Sequence, residues 1–249
     1  MAMYSRLMRV CLNFVLATVC LSTFTPVLMA APIHDFNKAL GDTMRHYRWA
    51  GYYLHTGNIA LAQLELDGFA VKAGGLSERY ALSPPGIFAN DPDWTSDIKY
   101  LPVAATAALA ASDTGDVKKT ESLLAPVRTR MGNMRRRNGL FLFADCIDAA
   151  NGAFDRLWRV RHQPPDFTKP AQVDEMRQDL AVTLYWYRRC HAEAPAAARD
   201  NQQFQRLMED SVRSLSLIWE AARNKNSRRI INILREVRSA DRLLYLNFY

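Results

Sequence analysis

Residues that interrupt helices are scarce in this sequence, with 11 glycines and 11 prolines in 249 positions. β-branched runs are short as well. These shortages exclude a collagenous or disordered chain and leave few candidate strands. Cysteine is limited to four positions, none in a Cys-x-x-Cys pair, so a dithiol redox or metal-binding pair has no support. Several catalytic signatures are missing. There is no Gly-x-Ser-x-Gly elbow, no Ser–His–acid set, no His-Glu-x-x-His pair and no glycine-rich phosphate loop, since Gly74-Gly75 stands alone. Asn90, Asp91, Asp93 and Asp97 lack the glycine and terminal glutamate of a calcium loop. They read instead as a helix N-cap cluster with acids at the positive end of the dipole.

What is present divides into a leader and a body. Met1 to Arg9 carries Arg6 and Arg9 and no acid. Val10 to Val27 is uncharged, and Val27-Leu28-Met29-Ala30-Ala31 follows Pro26. A basic start, an apolar middle and a small-residue end are the pattern of a secretory signal peptide, with the cut expected near Ala30. The rival is an uncleaved membrane anchor, because the uncharged stretch is long enough to span a bilayer. Cleavage is favoured by Pro26 and the small residues. It predicts a periplasmic or secreted body with no stable membrane insertion. Losing Arg6 and Arg9 lowers the formal net charge from +7 to +5. That modest excess suits an acidic partner and gives no sign of nucleic-acid binding.

Cys11 and Cys20 leave with the leader, so the mature chain keeps Cys146 and Cys190. Two cysteines in an oxidising compartment most simply form one disulfide.

The body is rich in Ala, Leu and Arg, all good helix formers, and helical periodicity recurs along it. Phe36, Leu40, Met44, Tyr47, Gly51 and Leu54 form the first stripe. Gly57 ends that helix, and Asn58 caps a second that runs to about Ala73. Residues 73–91 read mostly as loop. A third helix spans about Trp94 to Ser112. Asp116 caps a fourth through Arg137, with a kink expected at Pro126. Later stripes run through Phe143, Ile147, Phe154 and Leu157; Met176, Leu180, Leu184 and Tyr187; Phe204, Met208, Leu215 and Ile218; and Ile230, Leu234, Val237 and Leu244.

The expectation is an all-α helical bundle of about eight helices. A shift of about 110 residues aligns several features in order. Gly41, Arg45, Tyr47 and Arg48 meet Gly152, Arg156, Trp158 and Arg159. Pro85 and Trp94 meet Pro195 and Phe204. Leu123 to Arg128 meets Ile233 to Arg238. The chain therefore reads as a leader (1–30) and two related four-helix units (31–138 and 139–249), packed as one body.

Two local resemblances stand out. Ala50, Tyr53, Gly57, Ala62 and Leu66 resemble the packing residues of a tetratricopeptide-type helix pair, over about twenty residues and without the repeating period. This implies hairpin packing and no peptide groove. Tyr187-Arg188-Arg189-Cys190-His191 resembles the haem-attachment segment of cytochrome c-prime-type bundles, with Tyr187 in place of the first cysteine. The resemblance implies single-cysteine haem attachment, with His191 as axial ligand and Met44 or His46 as a second ligand. His34 would be a terminal copper ligand only if the leader were cut just before it. Met44, Met131 and Met134 could bind copper(I) through thioethers, although methionines at helical spacing are more often core filler.

Arginine carries the remaining chemistry. Arg45, Arg48, Arg128, Arg156, Arg159 and Arg238 recur in the two units, and Arg135-Arg136-Arg137 add a cluster. Guanidinium groups fit carboxylates and phosphates, so these residues are candidates for an anion-binding site. The competing reading is inter-helix salt bridges, with the stems covering aromatic rings. The expected role is non-catalytic: an accessory or binding protein in the cell envelope, acting on an envelope protein or a small anionic ligand, with no metal or cofactor predicted. The alternatives are a haem- or copper-binding redox protein, and an enzyme with an unfamiliar helical site built around His46, His55 or His191.

Overall fold

The computed structural model describes residues 33–249, so the leader and its expected cut lie outside the described residues. Nine α-helices account for most of the described chain: α1 (Ile33–Thr56), α2 (Ile59–Tyr80), α3 (Trp94–Asp113), α4 (Val117–Arg137), α5 (Phe143–Trp158), α6 (Pro170–Ala192), the single turn α7 (Ala196–Arg199), α8 (Gln202–Arg223) and α9 (Ser227–Phe248). Short 3₁₀ turns lie at Gly86–Phe88 and Arg159–Arg161. No strand occurs among the described residues, and no described helix is long and apolar enough to cross a membrane.

Neighbouring long helices pack in chain order: α1 on α2, α2 on α3, α3 on α4, then α5 on α6, α6 on α8 and α8 on α9. Short connections between packed neighbours impose an up-and-down course. α4 returns to α1, and α9 returns to α5 while also touching α1. Within the described residues 33–249 the helices form one compact unit containing two apolar clusters. The first runs from Phe36 to Met134 and the second from Cys146 to Leu244. Half-buried Tyr249 packs against both. Met44, Met131 and Met134 are buried members of the first cluster.

The loop expected over residues 73–91 is too long at its start. α2 continues through Gly74 and Gly75 to Tyr80. The cause is burial: Ala73, Leu76 and Tyr80 sit at helical spacing on the core face. The added turn ends in a closed aromatic set. The Tyr80 ring meets Phe36 at 5.2 Å, and Phe36 and Phe88 lie 5.0 and 4.6 Å from Trp94. Trp94 Nε1 donates to the Tyr80 carbonyl at 2.9 Å, which satisfies a helix-end acceptor. The Asn90–Asp93 cap reading also changes. Asp93 occupies the N-cap of α3 without a side-chain bond. Asp91 instead accepts from Arg137 Nε and Nη2 at 3.2 and 3.1 Å, from Asn138 Nδ2 at 2.6 Å, and from the Asp93 N–H.

This tether makes acid stability testable. Burial pushes the Asp91 carboxyl up, but the bonds from Arg137, Asn138 and the Asp93 N–H outweigh it and hold the group below the usual carboxylate range. Its contribution is present above the ordinary carboxylate pKa and is lost as pH falls through the depressed folded value. Asp91→Asn should lower stability by about 1–2 kcal/mol at neutral pH. The deficit should shrink as the pH falls through that depressed folded value. Urea titrations of both proteins from neutral to acid pH measure it, and a deficit that persists in acid would contradict the assignment.

Element boundaries recur at the spacing seen in the sequence. Asp113 ends α3 as Arg223 ends α8, and Val117 opens α4 as Ser227 opens α9. Asp116 and Asn226 are N-caps whose side chains accept from the Lys119 and Arg229 N–H groups. The residues before them, Gly115 (φ 74°) and Lys225 (φ 55°), are both left-handed. Cys146 and Cys190 are bonded across 44 positions, and 110 positions before each of them Phe36 and Tyr80 make their edge-to-face contact.

Lys225 is the one non-glycine residue with positive φ among those described. A side chain costs about 1–2 kcal/mol in that region, and glycine avoids the penalty at some entropic expense in the unfolded chain. Lys225→Gly should therefore stabilise the protein by roughly 0.5–1 kcal/mol, raising Tm by a few degrees in differential scanning calorimetry. A lower Tm would show that the lysine side chain contributes more than its backbone strain removes.

Candidate functional site

The six arginines singled out from the sequence do not form one site per unit. Arg128 reaches from α4 to α5, donating from Nε to Asp148 Oδ1 at 2.5 Å and from Nη2 to Asn151 Oδ1 at 3.3 Å. Its guanidinium also lies 4.7 Å over Tyr245. Burial works against the Arg128 charge, but Asp148 and Tyr245 outweigh it and raise its pKa. Arg238 bonds Asp155 at 2.7 Å and approaches Asp241 at 3.4 Å while covering Phe154 and Trp158. Arg156 faces Asp179 at 3.5 Å. Exposed Arg45 approaches His46 Nε2 at 3.5 Å, and Arg159 Nε donates to the Arg156 carbonyl.

Arg48 differs from the other five. Its side chain is buried, with 5% of the residue exposed. Nε and Nη1 are sealed from solvent and find no acceptor among the described residues. The guanidinium lies 4.9 Å over the Tyr249 ring. Burial lowers its pKa, and Arg45 adds to the shift.

Helix geometry explains the placement. Phe36, Leu40, Met44 and Arg48 follow one another at four-residue spacing, which stacks them on one face of α1. The first three are apolar and the fourth is carried inward with them. That spacing was a legible signal. It was hidden by pairing Arg48 with Arg159, which the structure leaves exposed.

Arg48 lines a cavity of about 420 Å³ between α1, α4 and α9. The wall is largely apolar, built from Gly51 and Leu54 of α1, Leu124 and Ala125 of α4, Leu246 of α9, and the rings of Tyr47, Tyr52 and Tyr245. His55, Glu121 and Arg242 stand exposed at its rim. Arg242 Nη2 lies 2.9 Å from His55 Nε2, linking α9 to α1. A donor guanidinium there requires the His55 proton on Nδ1. Neither the Tyr47 nor the Tyr245 hydroxyl finds a partner among the described residues. Burial raises both phenols, so both stay protonated at neutral pH. Arg48 also lines a second cavity, of about 520 Å³, with Arg135, Asn201, Phe248 and Tyr249.

Charged residues concentrate between the two apolar clusters. Arg135 of α4 grips Asp145 of α5 with Nε and Nη2 at 2.7–2.9 Å. Tyr249 donates to Asp148 Oδ2 at 2.9 Å. Behind them, Asp241 accepts from Tyr187 OH and Asn151 Nδ2, each at 2.6 Å.

The histidines are dispersed. His46 Nδ1 lies 2.7 Å from Glu65 Oε2. A β-carbon at Gly68 would fall 2.6 Å from that ring nitrogen, so glycine is what allows the ring to lie there. His191 Nε2 contacts Gln205 Oε1 at 2.5 Å. Its neighbour Cys190 is bonded to Cys146, so the sulfur that the haem resemblance would use is already engaged. Met44 lies within the first apolar cluster, and His191 lies on α6. No group of three His, Cys, Asp or Glu side chains placed to hold a metal occurs among the described residues.

Comparisons with protein-family models, with curated proteins and with solved structures return no match. The class that fold and site define is an all-α helical bundle with a disulfide and an arginine-bearing cavity between its helices.

Proposed function

We propose that this chain is an exported, non-catalytic accessory protein of the cell envelope that binds a small anionic ligand in the cavity beside Arg48. The observation that carries the reading is a buried arginine, two of whose guanidinium nitrogens have no acceptor among the described residues, in the lining of a space large enough for a small molecule. An unpaired buried ion carries a desolvation penalty of several kcal/mol, roughly. An anion placed next to it recovers part of that penalty through a charge-assisted hydrogen bond. Export is supported by the basic and apolar leader, and by a disulfide of the kind oxidising compartments maintain. The shared helix boundaries, N-caps and left-handed turn residues support an origin by duplication of a four-helix unit.

Native mass spectrometry of protein purified from the periplasm tests the proposal in one measurement. The expected result is a chain beginning near Ala31, with Cys146 and Cys190 oxidised and an anionic molecule released on denaturation. A chain that keeps its leader in the membrane and holds both thiols free would overturn export. A protein that emerges empty and gains no thermal stability from any carboxylate or phosphate would overturn the binding role.

A further inference from the structure

We propose that the occupant of the α1–α4–α9 cavity is a monoanionic amphiphile, with one carboxylate beside Arg48 and an unbranched or flat apolar body against Leu54, Leu124 and Leu246. This rests on the anion-binding reading above and narrows it.

Charge sets the number of negative groups. Arg48 is the buried cation of the lining. Arg242 lies at the exposed rim beside His55, and the nearby Glu121 carboxylate disfavours a second negative charge on the ligand. A dianionic phosphate or a dicarboxylate would place its extra charge against apolar walls, where an unpaired ion is expensive.

The walls set the body. Leu54, Leu124, Ala125 and Leu246 offer no hydrogen bond, so water gains little there and an alkyl or ring surface gains contact. The volume lies within the usual range for small-molecule sites, about 300–1,000 Å³. Tyr47 and Tyr245 add aromatic surface to the lining. Tyr52, itself in the lining, packs against Trp49 and Tyr53 with ring centroids 5.5–5.6 Å apart.

Isothermal titration of the mature protein with sodium decanoate, sodium acetate, decanol and inorganic phosphate tests the assignment. Decanoate should bind one to one, and acetate should bind at least about 100-fold more weakly for want of the apolar body. Arg48→Met should weaken decanoate at least about tenfold, with Arg48→Lys falling between. Leu124→Trp fills the cavity and should abolish decanoate binding while leaving Arg48 in place, so the test survives if Arg48→Met fails to fold. Circular dichroism and an intact disulfide establish folding for each variant. Arg48-dependent binding of phosphate or acetate as tight as that of decanoate would overturn the amphiphile and leave the anion reading standing. Decanol binding as tightly as decanoate, indifferent to Arg48→Met, would overturn both. So would the absence of binding by all four probes.

Discussion

Replacing Cys146 and Cys190 by alanine should lower the stability of the oxidised protein by about 4 kcal/mol. The bond joins α5 to α6 across 44 positions. Closing a loop of that length removes conformational freedom chiefly from the unfolded chain, and in the chain-entropy model this yields the figure above. For a body of this size the loss corresponds to a Tm lower by roughly 8–16 °C. Urea unfolding with and without reductant should reproduce the effect in the unmodified protein and show none in the double variant. Equal midpoints for oxidised and reduced protein would mean that the bond holds nothing the helices do not already hold. The first unit has no such bond between α1 and α2. Phe36 and Tyr80 meet there instead, and an aromatic pair adds only about 0.5–1.5 kcal/mol beyond its burial. Reduction should therefore weaken the second core first, and hydrogen exchange should quicken in α5 and α6 before α1 and α2.

Asp241→Ala should be comparably severe, with a loss of about 3–5 kcal/mol. Asp241 is 3% exposed and accepts from Tyr187 OH and Asn151 Nδ2. Truncation strands a buried phenol and a buried amide and removes one of the two carboxylates near Arg238, the other being Asp155. Each orphaned group carries a desolvation penalty of about 1–3 kcal/mol. Asp241→Asn retains an acceptor for Tyr187 and should lose less. Chemical denaturation ranks the two variants, and equal losses would show that side-chain volume rather than hydrogen bonding holds this part of the core.

Much of the fold was legible because apolar spacing reports burial directly. Phe36, Leu40, Met44 and Leu54, and again Ile230, Leu234, Val237 and Leu244, are buried where their stripes place them. Gly57, Asn58, Gly115 and Asp116 marked turns and caps through local backbone chemistry alone. The end of α2 was not legible, because two adjacent glycines read as a break. Helix propensity is a weak term beside the burial of Leu76 and Tyr80.

The site was legible only in part. The sequence marks Arg48 only as one of six similar arginines and Tyr47 and Gly51 only as members of a stripe, and it carries no local signal for Tyr245, Leu246 or Glu121 as parts of a site. Nothing local brings α9 against α1, so no motif could have announced a cavity lined by residues some two hundred positions apart. The exposed residues of the aligned arginine pairs showed the opposite problem: similar sequence surroundings, different partners.

By itself the amino-acid order determined the helices, the sides they bury and the pair of cysteines able to bond, since each depends on neighbours within a few positions or on a simple count. The tertiary structure decided which charges are satisfied. Arg128 and Arg238 meet carboxylates from other helices, while Nε and Nη1 of Arg48 are left without an acceptor among the described residues. The reason is that electrostatic pairing depends on distance in space, and distances between helices are set by packing that no single stripe encodes.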